Sequence, residues 1–139
     1  MKTLKTLVFL ACVLAAASVS MPTRALDCTA QVLGHSGSYP NAITYYGRIV
    51  NNTGVDQQWY IMQTIFWGAQ SGGCVCDFSQ TDRCQGPVTV PAYGYVDVQI
   101  TGTPPTGKTC AQYSISAGVN TCLQGDVLCG TTSGCQSIL

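Results

Sequence analysis

Cysteine content constrains the fold of this 139-residue chain more than any other feature of its sequence. Nine cysteines occur, and the first of them, Cys12, lies in an apolar run near the N-terminus. That run, residues 7–17, follows Lys2 and Lys5, is too short to span a bilayer, and is followed by small residues. We therefore predict a signal peptide over residues 1–20, with an alternative cleavage site as late as residue 25. A protein exported in this way is secreted, to the extracellular space or the cell wall.

Eight cysteines remain after cleavage of the signal peptide. Because this number is even and the chain is small and exported, we predict four disulfide bonds, although about a hundred pairings of eight cysteines are conceivable and the connectivity stays open. Zinc binding is the competing interpretation, but the sequence has no CxxC pair and a single histidine, His35. We therefore expect no metal and no other cofactor. The eight cysteines are Cys28, Cys74, Cys76, Cys84, Cys110, Cys122, Cys129 and Cys135.

The charge of the mature chain excludes several classes of partner. Acidic and basic residues are few and scattered, and glutamate is absent. Such a chain has neither the basic stripe of a nucleic-acid-binding protein nor the basic face that binds anionic membranes. No second apolar segment has membrane-spanning length, so we expect no membrane span in the mature form. Residues 26–139 have the length of a single domain.

Alternating apolar and polar residues predict β-strands along much of the chain. Residues 43–50 place Ile43 and Tyr45 on one side of a strand, and residues 95–101 alternate as cleanly. Residues 57–67 are apolar on both faces, which predicts a central strand covered on both sides. No window shows helical periodicity. We therefore predict an all-β fold, an antiparallel immunoglobulin-like β-sandwich stapled by disulfides.

Two cysteine-rich segments show little periodicity. Residues 68–85 predict a long loop, or a short strand plus a loop, and residues 122–139 predict an irregular tail stapled to the body. The strands at 43–50 and 57–67 contain no cysteine, so the body of the sandwich should form a core of its own. The disulfides are then expected to fix mainly the loops and the cysteine-rich C-terminal tail.

Residues suited to catalysis are scarce. His35 lies in a predicted Gly/Ser-rich loop. Glycoside hydrolysis needs two carboxylates at a defined separation, and the loop aspartates Asp77 and Asp82 are more typical of turn caps. All eight mature cysteines can pair, which disfavours a cysteine nucleophile. We expect no catalytic residues and no enzymatic activity; a small hydrolase would need aspartates clustered around His35 in a cleft.

One sequon points to modification of the chain. Asn51, Asn52 and Thr53 form an N-x-T sequence in a predicted turn, where a glycan would be accessible if the host is a eukaryote. We therefore predict a glycoprotein with its glycan on Asn51.

Aromatic residues are the best candidates for a ligand-binding surface, because aromatic rings stack on the apolar faces of sugar rings. Tyr46 points to the opposite side of its strand from the apolar residues, and Tyr93 and Tyr95 flank a turn. These three tyrosines are therefore predicted at the surface. Trp59 and Trp67 lie on the same side of their strand as its isoleucines. That position favours the core, but both tryptophans are retained as candidates for ligand binding.

The order of these features resembles a family of secreted modules. Residues 49–54 (IVNNTG) end a strand, residues 58–61 (QWYI) carry a tryptophan, and residues 90–98 (VPAYGYVDV) form a turn leading into a strand. This order is similar to that in secreted carbohydrate-binding modules of the family 2 and family 49 type. The resemblance implies an immunoglobulin-like β-sandwich that binds cellulose or chitin. The cysteines around Cys74 depart from the single disulfide of the family 2 modules.

Two functions from different classes are therefore expected. The first is a secreted non-enzymatic binding or structural module that engages cell-wall or extracellular polysaccharide through exposed aromatics. The alternative is a small disulfide-rich effector, elicitor or inhibitor that acts on a host protein. Binding of a glycan, as against binding of a specific protein, would separate the two.

Overall fold

A computed structural model describes residues 26–122 and 127–139, apart from the side chain of Phe78, and within this range the chain forms eight β-strands. The predicted signal peptide, residues 1–20, lies outside the described residues. The range contains no helix long and apolar enough to cross a membrane. In chain order the strands are β1 (Cys28–Ser36), β2 (Ile43–Asn51), β3 (Gln57–Gln70), β4 (Cys74–Val90), β5 (Tyr95–Gly102), β6 (Cys110–Gly118), β7 (Val127–Thr132) and β8 (Gln136–Ser137).

The strands pair into two antiparallel sheets. The smaller sheet has the order β1-β2-β5, and the larger has the order β4-β3-β6-β7, with β8 pairing to β6. This arrangement, with its disulfides, confirms the predicted all-β, antiparallel, disulfide-stapled β-sandwich. β3 is central in the larger sheet, as predicted. The expectation that both of its faces are covered is wrong, because its outward residues Tyr60, Met62 and Phe66 stay partly exposed.

The core forms where the inner faces of the two sheets meet. Strand alternation places Tyr45 and Ile49 of β2 in this interface, and both are buried, as their parity predicts. Gly47 occupies the inward position between them. A Cβ at Gly47 would collide with the Tyr113 hydroxyl and with Ile115 of the facing sheet. The close approach of the two sheets at this point therefore requires glycine.

A buried polar link also joins the two sheets. Gln63 of β3 is fully buried; its Oε1 accepts a hydrogen bond from the Tyr113 hydroxyl at 2.9 Å, and its Nε2 donates to the Gln99 carbonyl at 3.2 Å. Burial raises the pKa of Tyr113, so its hydroxyl stays protonated and can donate. Arg83 Nη1 donates to the same Gln99 carbonyl at 2.9 Å. These bonds satisfy the Gln99 carbonyl on β5, the edge strand of the smaller sheet, at the point where this sheet meets β4.

Four disulfides pair all eight predicted cysteines, and four disulfides are typical of extracellular proteins. One bond joins β1 to β7 and so links the two sheets, and each of the other three has one end on β4. The expectation that the disulfides fix mainly loops is wrong, because six of the eight cysteines lie in strands. Three of the four bonds do end in the predicted C-terminal tail, at Cys122, Cys129 and Cys135. The pairs are Cys28–Cys129, Cys74–Cys110, Cys76–Cys135 and Cys84–Cys122.

Two segments predicted to be irregular form strands instead. Most of residues 68–85 belong to β3 and β4, with residues 71–73 between the two strands. β4 pairs with β3 across two shifts of register, and each shift interrupts the alternation that would have marked a strand in the sequence. In residues 122–139, β7 and β8 pair with β6 at the border of the larger sheet. Their Gly, Ser and Thr residues give no apolar alternation, so the sequence pattern did not indicate strands.

Candidate functional site

The outward side chains of the smaller sheet form the candidate site. Tyr46 and Arg48 of β2 point outward because they alternate with buried residues, and Asp97 and Gln99 of β5 do the same. The register sets Tyr46 opposite Gln99 and Arg48 opposite Asp97. Tyr95 lies on the same face, one step further along β5. These five residues, Tyr46, Arg48, Tyr95, Asp97 and Gln99, form the outer strip.

A depression of about 480 Å³ lies at the Tyr46 end of the outer strip. Tyr46, which is 37% exposed, lines it together with Asp97, Gln99 and Leu33 of β1. Leu33 is exposed because the register of β1 shifts at this point, and a β-bulge re-aims the side chains around it. The Tyr46 hydroxyl lies 3.2 Å from the hydroxyl of Ser36. The depression therefore combines an aromatic ring and a leucine with a carboxylate and an amide.

The middle of the outer strip is an ion pair stacked on an aromatic ring. Arg48 Nε donates to Asp97 Oδ1 at 2.7 Å, and Arg48 Nη2 donates to Asp97 Oδ2 at 3.0 Å. The guanidinium carbon lies 3.9 Å from the centre of the Tyr95 ring. The hydrogen bonds from Arg48 lower the pKa of Asp97, and the same bonds raise the pKa of Arg48. Both groups therefore remain charged and held in one geometry at neutral pH.

Tyr93 lies beyond the end of the outer strip, in the turn that leads into β5. The turn runs from Pro91 to Gly94, and its closing hydrogen bond is donated by Gly94 N to the Pro91 carbonyl at 2.9 Å. Tyr93 has a φ of 51°, in the left-handed region, and is 78% exposed. The three tyrosines predicted at the surface, Tyr46, Tyr93 and Tyr95, are thus all exposed.

The two tryptophans are not available to a ligand. Trp59 and Trp67 are each 1% exposed and belong to the core between the sheets. Trp67 Nε1 donates to the hydroxyl of Thr81 at 3.0 Å, which satisfies the polar atom of its ring inside the protein. The prediction that Trp59 and Trp67 bind a ligand is therefore wrong, because alternation along β3 directs both side chains inward.

Glycosylation at Asn51 is also excluded in the folded chain. Asn51 is fully buried, and its Nδ2, the atom that would carry a glycan, donates to the carbonyls of Val55 and Val90. A glycan would replace one of the two hydrogens on this atom, so it would break one of these hydrogen bonds, and it would have no room in the core. The prediction of a glycan on Asn51 is therefore wrong. The turn residues do end β2, but the asparagine side chain points into the sandwich.

His35 and the aspartates are not assembled as a catalytic cluster. His35 lies on β1, and not in a loop as predicted, because that strand extends to Ser36. It lines the depression with Asp97, which is already ion-paired, whereas Asp82 lines a separate cavity of about 260 Å³ on the outer face of the larger sheet. Within residues 26–122 and 127–139, no group of three or more His, Cys, Asp or Glu side chains could hold a metal ion.

Several members of the candidate site were not singled out from the sequence. Alternation within each strand predicts that Arg48, Asp97 and Gln99 point outward, but only the register between β2 and β5 brings Asp97 and Gln99 beside Tyr46. Leu33 has no such signal, because its exposure depends on the bulge in β1. The aromatic part of this face was therefore predicted, and the polar groups beside it were not.

No protein-family model matches this chain, and no curated protein matches it. Some solved structures with β-rich domains are similar at low identity. One is a cycloisomaltooligosaccharide glucanotransferase from Paenibacillus sp., at 14% identity and a TM-score of 0.46, covering 80% of this chain and 14% of that one. A β-glucosidase from Kluyveromyces marxianus is similar at 11% identity and a TM-score of 0.47, covering 86% of this chain and 16% of the enzyme.

A third similar structure is the CARDB domain of a Pyrococcus furiosus protein, at 8% identity and a TM-score of 0.44, covering 84% of this chain and 96% of that one. The present chain spans only a small fraction of the two enzymes. Likenesses this distant carry no argument about function.

Proposed function

We propose that this protein is a secreted non-enzymatic module that binds a polysaccharide along the outer strip. The observation that carries the proposal is the depression around Tyr46, where a partly exposed aromatic ring adjoins the planar polar groups of Asp97 and Gln99. A sugar ring has apolar faces that stack on aromatic rings, and hydroxyls at its edge that bond to carboxylates and amides. An apolar surface with a few convergent polar groups matches both parts of such a ligand.

The charge of the outer strip favours a neutral glycan. Its cation, Arg48, is held by both carboxylate oxygens of Asp97. An anionic glycan would have to compete for Arg48 with Asp97, which already binds it in bidentate geometry. Sugar hydroxyls can instead donate to the remaining lone pairs of Asp97 and to the side-chain carbonyl of Gln99. Cellulose and chitin, the ligands implied by the sequence resemblance, are both neutral.

A binding role is preferred over a catalytic one because of the state of Asp97. A glycosidase needs one carboxylic acid that is protonated at working pH and a second carboxylate at a defined distance. Arg48 lowers the pKa of Asp97, so this carboxyl is ionised and cannot serve as the acid. His35 shares the depression with this one aspartate.

The proposal is tested by retention of the purified mature chain on insoluble cellulose and chitin, with calorimetry on soluble oligosaccharides. We expect the wild type to be retained on at least one of these glycans. Tyr46→Ala should weaken binding about tenfold, because loss of an aromatic contact costs on the order of 1–2 kcal/mol. Tyr46→Phe, which keeps the ring, should retain most of the affinity.

Tyr60→Ala provides the matched control, because Tyr60 is a partly exposed tyrosine on the outer face of the opposite sheet. This variant should bind like the wild type, and thermal unfolding of each variant checks that the fold is intact. Retention that falls equally in Tyr60→Ala and Tyr46→Ala would place binding elsewhere. A wild type that binds no glycan would contradict the proposal and favour the alternative, an effector or inhibitor that acts on a host protein.

A further inference from the structure

Tyr93 has a backbone conformation that its side chain makes unfavourable. Its φ of 51° lies in the left-handed region, and it is the one non-glycine residue with a positive φ in the described part of the chain. Bulky residues rarely enter this region, and a turn that needs a positive φ at its third position usually takes glycine or asparagine there. Glycine would be easier to accommodate, so the aromatic ring needs an explanation beyond the turn itself.

Hydrogen bonds from a neighbouring loop hold this conformation. Tyr93 N donates to the Thr53 carbonyl at 3.0 Å, and Asn51 N donates to the Gly94 carbonyl at 2.8 Å. The backbone N–H that precedes Tyr93 donates to the carboxylate of Asp56 at 2.9 Å. Three bonds, one from the last residue of β2 and two from the connection between β2 and β3, therefore fix the turn, and they fix the direction of its aromatic side chain.

The Tyr93 ring is supported on one side and open on the other. A Cβ on Gly54 would lie 3.2 Å from the Tyr93 hydroxyl and 3.4 Å from a ring carbon, so the ring packs against this glycine. The residue as a whole is 78% exposed, which leaves most of the ring in solvent. A rigid aromatic surface of this kind binds a ligand with little loss of conformational entropy.

We propose that Tyr93 is the terminal contact of the polysaccharide site, which therefore selects an extended neutral oligosaccharide over a mono- or disaccharide. This inference rests on the proposed function of the outer strip. Gln99, which is opposite Tyr46, is six residues from Tyr93 along the chain, so the two tyrosines lie up to about 20 Å apart along the sheet. Tyr95 and Arg48 occupy the interval between them. A single sugar ring cannot contact both ends of such a row.

The test is the dependence of affinity on ligand length. Cello-oligosaccharides and chito-oligosaccharides of two to six sugar units are titrated calorimetrically into the wild type and into Tyr93→Gly. We expect the wild-type affinity to rise about tenfold from the shortest to the longest oligomer, and the variant to lose most of this rise while it binds the disaccharide normally. The melting temperature of Tyr93→Gly should be unchanged or higher, because glycine suits the left-handed turn.

Tyr93→Phe serves as the matched control and should keep the dependence on length. The inference is wrong if Tyr93→Gly retains the full rise in affinity, or if it weakens short and long oligomers equally. It is also wrong if the wild type binds all lengths alike. In these cases sensitivity of binding to Tyr46→Ala would still support the outer strip. Failure of the wild type to bind any oligomer or insoluble glycan would instead contradict the proposed function itself.

Discussion

Replacing Asn51 by aspartate tests what stabilises the end of the sandwich where β2 leads into the connection to β3. Asn51 is fully buried, and both of its side-chain polar atoms are used. Its Nδ2 donates to the carbonyls of Val55 at 2.8 Å and Val90 at 3.0 Å. Its Oδ1 accepts from the backbone N–H and the hydroxyl of Thr53, at 2.9 and 2.8 Å. One side chain therefore joins the end of β2, the following turn and the end of β4.

Aspartate has nearly the same shape as asparagine but has no donor at the Nδ2 position. The buried Val90 carbonyl would face an oxygen, and a buried acceptor without a partner costs about 1–3 kcal/mol. The Val55 carbonyl loses the same donor, but Val55 is exposed and its carbonyl lies 3.0 Å from the Thr53 hydroxyl, so this loss adds little. The expected loss is therefore about 1–3 kcal/mol, a substantial part of the roughly 5–15 kcal/mol that stabilises a domain. Burial should raise the pKa of the new carboxyl, so the loss should be largest above its unfolded-state pKa of about 3.9 and smaller in acid.

The assay is equilibrium unfolding of Asn51→Asp in guanidinium chloride at pH 7 and at about pH 3. Asn52→Asp is the matched control, because Asn52 is exposed and its Nδ2 donates only to the Leu26 carbonyl at 3.1 Å and the Thr29 hydroxyl at 2.9 Å. The control should lose less than about 1 kcal/mol. If Asn51→Asp loses no more stability than Asn52→Asp does, the buried hydrogen bonds of Asn51 do not stabilise this end of the sandwich.

Two further predictions concern the covalent link between the sheets and the outer strip. The Cys28–Cys129 bond closes a loop with a sequence separation of 101. A Cys28→Ala/Cys129→Ala variant should therefore lose up to about 4.7 kcal/mol of unfolding free energy, measured in denaturant. A loss below about 1 kcal/mol would contradict this. The folded-state pKa of Asp97 is lowered by Arg48, so the ion pair stabilises the fold above the unfolded-state pKa of about 3.9, and that contribution is lost as the pH falls through the folded-state value. The difference in unfolding free energy between wild type and Arg48→Met should therefore be constant near neutrality and shrink below about pH 4; a difference that does not change with pH would show that the ion pair adds no stability.

Strands were predictable where one face of a regular strand is buried. In β2 and β5 every second residue points inward and most of these residues are apolar, so the alternation alone located both strands. β4 was missed because its register shifts twice against β3, and a pattern of period two does not survive such shifts. β7 was missed because its residues contribute little to the core. What local pattern could not supply was the pairing of strands distant in the chain.

The candidate site divides in the same way. The outward position of Tyr46 follows from the alternation within its own strand, and the burial of Trp59 follows from the same rule. The exposure of Leu33 depends on a bulge in β1, and the ion pair of Arg48 with Asp97 depends on the register between β2 and β5. The aromatic part of the depression was therefore predictable, but its polar part requires the fold.

Tyr93 shows why exposure alone is a weak guide to a binding residue. Its place in a turn was evident from the flanking proline and glycine, and it is exposed as that place predicts. Its left-handed conformation is imposed by Thr53 and Asp56, which lie about 40 residues earlier in the chain. A turn formed under local preferences alone would favour glycine at this position. The combination of an unfavourable backbone, a fixed ring and an open face is what separates Tyr93 from an ordinary surface tyrosine, and each of the three depends on contacts formed only in the folded sandwich.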